Sequence, residues 1–258
     1  MPIYDSIGKK YSTSRIPDSR IAKTLIDLLN LPQGSIIADI GAGTGGYSQL
    51  IANQGFSVYA VEPSSVMRTQ AIQHPQIKWF TGYAEALPLP DKSVDAVISI
   101  LTIHHFSDLA KSLREMHRIV KDGAIILLTF DIRLAQKIWL YDYFPAWWEE
   151  ALKFLPLNEI ANLIQVNTQR NVEAFPLMLP HDLSDLFAAA GWRRPEIYLK
   201  PEVRAGISAF AFSDQNLIEQ GVQKLMNDLS NGEWDKKYGE ILNLQEVDIG
   251  YRFLRAKF

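Results

Sequence analysis

Apolar residues along this chain follow two rhythms. Runs without alternation at 35–40 (Ser35-Ile36-Ile37-Ala38-Asp39-Ile40) and at 124–130 (Ala124 through Phe130) predict strands buried on both faces, as in a parallel sheet. Residues 57–62 and 94–100 have the same character, and 77–81 is a shorter fifth strand. Helical spacing fills the intervals. Residues 20–29 carry Ile21, Leu25, Leu28 and Leu29 on one side, 47–54 end at Gly55, 64–73 stop before His74-Pro75, and 108–120 run into Lys121-Asp122-Gly123. Strands alternating with helices at this spacing predict right-handed βαβ units wound into a doubly wound α/β sheet.

The rhythm changes after Phe130. Residues 132–180 are rich in aromatics and helix formers and are broken by Pro145, Pro156, Pro176 and Pro180, which predicts an inserted helical lid. The sheet pattern is expected to resume with a helix at 183–190 and a strand at 196–200, and to end with a strand at 251–256. The implied organisation is an N-terminal helical cap over 1–30 and a cofactor-binding core over 31–131. The lid over 132–180 follows, and the core sheet is completed over 181–258 with a further helical insertion near 205–243.

Composition narrows the chemistry. With 47% hydrophobic and 21% charged residues, the 258-residue chain has ample material for a core. A net charge of -3 provides no general attraction to phosphate backbones or anionic lipid, so a small-molecule substrate is expected and a nucleic-acid partner is not. The absence of cysteine excludes disulfides, thiolate metal sites and cysteine nucleophiles, and without an H-E-x-x-H pattern no metal site is expected. No uncharged apolar stretch approaches the roughly 20 residues of a membrane span. There is no basic segment followed by an apolar run at Met1-Pro2-Ile3-Tyr4-Asp5, so a cytoplasmic location is expected.

The first strand leads into Asp39-Ile40-Gly41-Ala42-Gly43-Thr44-Gly45-Gly46. Glycines there let the chain turn sharply and bring its backbone close to a ligand, while the helix that follows offers unpaired N–H groups. Glu62, 21 residues after Gly41, ends the second strand, where a carboxylate can accept hydrogen bonds from ribose hydroxyls. The spacing of Gly41, Gly43 and Gly46 also fits a dinucleotide site, which keeps an NAD(P)-dependent oxidoreductase as an alternative. Asp39 favours the other choice: a carboxylate there repels a diphosphate and attracts an ammonium or sulfonium group.

These residues resemble the class I S-adenosylmethionine-dependent methyltransferases, particularly the branch related to the ubiquinone/menaquinone biosynthesis enzymes. The resemblance rests on Asp39, Gly41, Gly43 and Gly45, on Glu62 in Val61-Glu62-Pro63-Ser64, and on Tyr83-Ala84-Glu85-Ala86-Leu87-Pro88-Leu89. Ile103-His104-His105-Phe106, Lys121-Asp122-Gly123 and the terminal Gly250-Tyr251-Arg252-Phe253 extend it. It implies a Rossmann-like sheet of seven strands, mostly parallel, with the last strand antiparallel between the fifth and sixth. S-adenosylmethionine is the implied cofactor and S-adenosylhomocysteine its product. The implied cofactor-binding set is Tyr11, Arg15, Asp39, Gly41, Ala42, Gly43, Gly45, Glu62, Pro63, Ala84, Glu85 and Leu101. Tyr11 and Arg15 belong to an N-terminal segment that, by the resemblance, closes over the methionine end of the cofactor. Tyr83 stands where relatives carry an adenine-binding aspartate, which leaves adenine to the Ala84 backbone or to Glu85.

His104 and His105 are the candidate catalytic residues, because they follow the fourth strand at the ligand edge and titrate near neutrality. The aromatic segment 138–148 has two readings: a roof over an apolar or aromatic acceptor, or a small core or homodimer contact. The expected function is methyl transfer by direct displacement to a small, hydrophobic or aromatic acceptor. A cofactor-binding scaffold without turnover is a further alternative.

Overall fold

The computed structural model describes Asp5, residues 13–135 and residues 138–257. The first helix, α1 (Ser19–Leu29), starts where the Asp18 carboxylate accepts a hydrogen bond from the Arg20 N–H, and it buries Ile21, Leu25 and Leu29. Five parallel strands follow: β1 (Ile36–Ile40), β2 (Ser57–Val61), β3 (Ile77–Phe80), β4 (Ala96–Ile100) and β5 (Ile125–Phe130). They are joined through α2 (Gly46–Ala52), α3 (Ser65–Arg68) and α4 (Leu109–Ile119). The side chain of Asp108 caps α4 through the Lys111 N–H. Helix α3 is only one turn long, so the helix expected over 64–73 ends at Arg68, followed by a turn at 69–70.

Next come α5 (Leu140–Tyr143), α6 (Pro145–Leu152), α7 (Leu157–Thr168) and a sixth strand, β6 (Asn171–Pro176). Four helices, α8 (Pro201–Ala205), α9 (Ser208–Phe212), α10 (Gln215–Ser230) and α11 (Glu233–Tyr238), precede the last strand of the sheet, β7 (Tyr251–Lys257). The strand order is β3-β2-β1-β4-β5-β7-β6, with β7 antiparallel to both of its neighbours. A separate two-residue ribbon pairs Leu179–Pro180 with Glu246–Val247.

Three expectations about the second half are corrected. The sixth strand is β6, inside the stretch read as a helical insertion; as an edge strand it is mostly half-exposed or exposed and carries no buried apolar run. The expected strand at 196–200 is instead a 3-10 turn, Pro195–Leu199, which starts on a proline and buries Ile197 and Tyr198. Residues 183–190 form turns instead of a helix: Asp185 is drawn into a bridge with Arg15, and Ala189 has φ +60°.

Alternation along the strands divides the core between the two faces. Ile126, Leu128 and Phe130 of β5 pack with α1, α2 and the aromatic helices. Ile125 and Leu127 face the other way, toward α4 and α7. Strand order reverses between β1 and β4, and the carboxyl ends at that point open outward, the usual place for a ligand in an open α/β sheet. Among the described residues, no helix is long and apolar enough to cross a membrane.

Candidate active site

The turn after β1 approaches its neighbours too closely for side chains. Gly41 has φ +74°, and its N–H and that of Ala42 both donate to the Val61 carbonyl, at 2.9 and 3.1 Å. A Cβ on Gly41 would stand 2.6 Å from Thr102 Oγ1. Gly45 caps α2 with φ +77° and faces elsewhere: a Cβ there would meet the Trp79 ring at 2.7 Å. Among the predicted cofactor residues, Gly45 is absent from the lining of the cavity beside the turn, and its missing side chain leaves room for the Trp79 ring.

The turn forms one wall of a cavity of about 500 Å³. Arg15, Asp39, Gly41, Ala42, Gly43, Glu62, Pro63, Ala84, Glu85, Leu101, His104 and His105 all line it, so the fold brings these predicted residues together. Tyr11, like Tyr4, lies outside the described residues. Sequence reasoning missed Thr102, Phe106, Phe154, Asp185 and Phe212, which also line it. Residues 138–148 do not line it. Trp139 donates to the Trp192 carbonyl at 2.6 Å and fully buried Trp147 stacks on Phe210, so the aromatic segment is the core of the helical half.

Two carboxylates face the glycine turn. Glu62 accepts from the Gly43 N–H through Oε2 at 2.9 Å and from the Ser64 N–H through Oε1 at 2.8 Å. Burial raises its pKa while those donors oppose the rise. An ionised carboxylate offers about four lone-pair sites, so both oxygens retain acceptor capacity. Behind it, Ser64 Oγ donates to Asp5 at 2.6 Å. Asp39 is 2% exposed and accepts from Ser48 Oγ at 2.6 Å. Burial, with a smaller contribution from the negative charge of Glu62, pushes its pKa up to about 6.

A folded pKa near 6 against 3.8 for the free carboxyl means that the stabilising contribution of Asp39 is full below 3.8 and is lost as pH rises through 6. Comparison with Asp39→Asn cancels the pH-independent cost of the amide. The stability difference should therefore move by roughly 2 kcal/mol in favour of the variant between pH 4 and pH 7. Denaturant melts at several pH values measure this; parallel pH profiles for the two proteins would contradict it.

Also lining the cavity, Arg15 is held by Asp185 in a two-point pair (Nε–Oδ1 2.5 Å, Nη2–Oδ2 3.3 Å) and donates through Nη1 to the Gly206 carbonyl at 3.4 Å, and the Tyr47 hydroxyl donates to the Asp185 carboxylate at 3.0 Å. Asp185 is 1% exposed, so this cluster clips the N-terminal segment to the loop at 182–187 beside the cavity. Arg15 thus faces the cavity already engaged by a carboxylate. The Glu85 carboxylate is likewise occupied. It accepts from Ser107 N–H and Oγ and from the Asp108 N–H; burial would raise its pKa, but these donors hold it below the ordinary value. Leu101 turns the chain at the end of β4 with φ +53°, a conformation costing about 1–2 kcal/mol for a side chain of this kind.

His104 and His105 also line the cavity, with ring centroids 3.9 Å apart and His104 4.7 Å from Phe154. Burial lowers both pKa values, His104 well below 6.5 and His105 to about 4, with added repulsion from Arg15. Both imidazoles are neutral at pH 7. In that form each ring can give one hydrogen bond and accept another.

The chain matches the methyltransferase-domain family model over residues 38–128. Among solved structures it is similar to a putative methyltransferase from an antibiotic biosynthesis pathway of Anabaena variabilis, at 69% identity and TM-score 0.93, covering 95% of this chain and 99% of that one. It is 36% identical over 118 residues to a ubiquinone/menaquinone biosynthesis C-methyltransferase of Rubrivivax gelatinosus, covering 45% of this chain and 42% of that protein. It is 35% identical over 127 residues to a 2-methyl-6-phytyl-1,4-hydroquinone methyltransferase of Synechocystis, covering 47% of this chain and 40% of that protein. The matches to these two curated relatives thus span less than half of either one's length.

Proposed function

Because the chain belongs to the class I S-adenosylmethionine-dependent methyltransferases, we propose that it methylates a small, uncharged apolar or aromatic acceptor held beside His104 and Phe154 in the cavity. The observation carrying this reading is the character of the lining: Phe106, Phe154 and Phe212 share the cavity with two histidines whose pKa values burial lowers, and Phe154 packs on His104. The two curated relatives described above are named for quinone or hydroquinone chemistry, which makes a ring the acceptor of choice here.

The glycine cradle and its two carboxylates fit the cofactor: the turn has no room for a Cβ at Gly41, and its charge suits a cation better than a diphosphate. When bound, the cofactor supplies a methyl group on a positively charged sulfur. Glu62 would accept hydrogen bonds from ribose hydroxyls with its remaining lone pairs, and Asp39 would attract the ammonium group. Arg15, held by Asp185, would supply positive charge near the carboxylate, and Ala84 with Pro63 would flank the base. Displacement requires the acceptor in line and water excluded, and positioning alone can supply roughly 7–11 kcal/mol. His104 and His105, unprotonated near neutrality, would hydrogen-bond the acceptor and take the proton it loses as the methyl group arrives, passing it on to solvent.

Transfer of a labelled methyl group from S-adenosylmethionine to a panel of phenols, hydroquinones, carboxylic acids and nucleotides tests this. The expected result is methylation confined to uncharged rings, with kcat at saturating cofactor flat between pH 6 and pH 8. Methylation of anionic acceptors alone, or a kcat limb near pH 6.5, would contradict the reading.

A further inference from the structure

A second cavity of about 180 Å³ lies against the first. The two share His104, Phe106 and Phe154 as walls. Its remaining surface is mainly apolar: Ile103, Leu109, Phe130 and Ile160 line it, with Leu155 among its exposed neighbours. No carboxylate lines it, and the Lys153 ammonium there is paired with Glu150 at the surface. An engineered apolar cavity of about 150 Å³ holds one benzene molecule, so this one has room for a ring or a short branched chain. Phe154 stands between the two spaces, its ring against His104 at 4.7 Å and against Phe130 at 5.7 Å.

We infer that the smaller cavity is an accessory pocket for an uncharged apolar substituent of the methyl acceptor, one ring or a short alkyl group in size, with Phe154 as the gate that sets which substituents enter. This rests on the reading of the larger cavity as the cofactor and acceptor site. A charged substituent would find only Lys153, already paired with Glu150 at the surface, so an uncharged one is favoured. Within the pocket each buried methylene should tighten binding about fourfold. The gain should stop once the chain fills the space.

The test titrates the protein saturated with S-adenosylhomocysteine with phenol and its 4-ethyl, 4-butyl, 4-hexyl and 4-octyl derivatives. Affinity is expected to climb about fourfold per methylene at first and to level off by the hexyl compound. Ile160→Phe and Leu109→Phe, which fill the pocket from different elements, should each remove the climb and leave phenol and S-adenosylhomocysteine binding unchanged. The unchanged cofactor-product affinity also reports that each variant is folded. Phe154→Ala should move the plateau to longer chains. Affinity independent of chain length in the unmodified protein, or a climb that survives both filling variants, overturns the pocket. Failure to bind S-adenosylhomocysteine at all overturns instead the reading of the larger cavity on which it rests.

Discussion

Glu62→Ala is expected to lower the affinity for S-adenosylhomocysteine by roughly two to four orders of magnitude. The carboxylate is proposed to accept hydrogen bonds from two ribose hydroxyls, and bonds to a charged acceptor contribute about 1.5–3 kcal/mol each. The same substitution orphans the Gly43 and Ser64 N–H groups, which Glu62 now accepts at 2.9 and 2.8 Å. Each orphaned donor costs about 1–3 kcal/mol where water cannot replace the carboxylate, so the unliganded protein should also melt earlier. Glu62→Gln separates the two effects. Its carbonyl oxygen still accepts from one N–H but its amide group opposes the other, so it should recover part of the stability and little of the affinity. Calorimetric titration beside thermal melts of all three proteins measures both. Full affinity in Glu62→Ala would remove this residue from the site.

Gly41→Ala should be nearly as damaging by a different route. An alanine at φ +74° pays about 1–2 kcal/mol of left-handed strain, and its Cβ would stand 2.6 Å from Thr102 Oγ1 and 2.7 Å from Thr102 Cγ2. Overpacking of this kind costs a further 1–3 kcal/mol or so. Together they consume a large share of a typical stability of about 5–15 kcal/mol. Thr102→Ala removes both clashing atoms and leaves only its own Cβ, 3.2 Å from the new methyl. The double variant should therefore be more stable than the sum of the singles predicts, by about 0.5–3 kcal/mol. The strain at Gly41 remains, so the double variant should still fall short of the unmodified protein. Strict additivity in denaturant melts would mean that the turn relaxes away from Thr102.

The first half of the molecule was largely legible because its signals are local. Strands β1, β4 and β5 are buried on both faces and read as nearly unbroken apolar runs, and Asp108 announces α4 at the residue that caps it. The glycine turn and Glu62 could be read as a pair because strand order brings the ends of β1 and β2 side by side. The second half was less legible because long-range contacts decide it. Arg15 reaches Asp185 across 170 positions and holds 183–187 in a bridged turn that helical spacing alone does not foresee. Strand β6 lies at a sheet edge and begins with Asn171 and ends with Pro176, so no apolar run marks it.

The same distinction runs through the site. The residues that line the cavity from the ends of β1, β2 and β4 could be listed from motifs. Phe154 and Phe212 arrive from the helical half, and the aromatic segment that drew attention in the sequence is their supporting core. The histidines illustrate a further limit. Their position after β4 was readable, but their depressed pKa values depend on burial and on Arg15, which only the folded chain brings near them.

Calorimetric titration of the unmodified protein with S-adenosylmethionine, S-adenosylhomocysteine and NAD at pH 7.5 tests the central claim most directly. The account predicts one-to-one binding of both adenosyl compounds and none of NAD, since Asp39 and Glu62 face the turn where a diphosphate would lie. Binding of NAD without either adenosyl compound would contradict it.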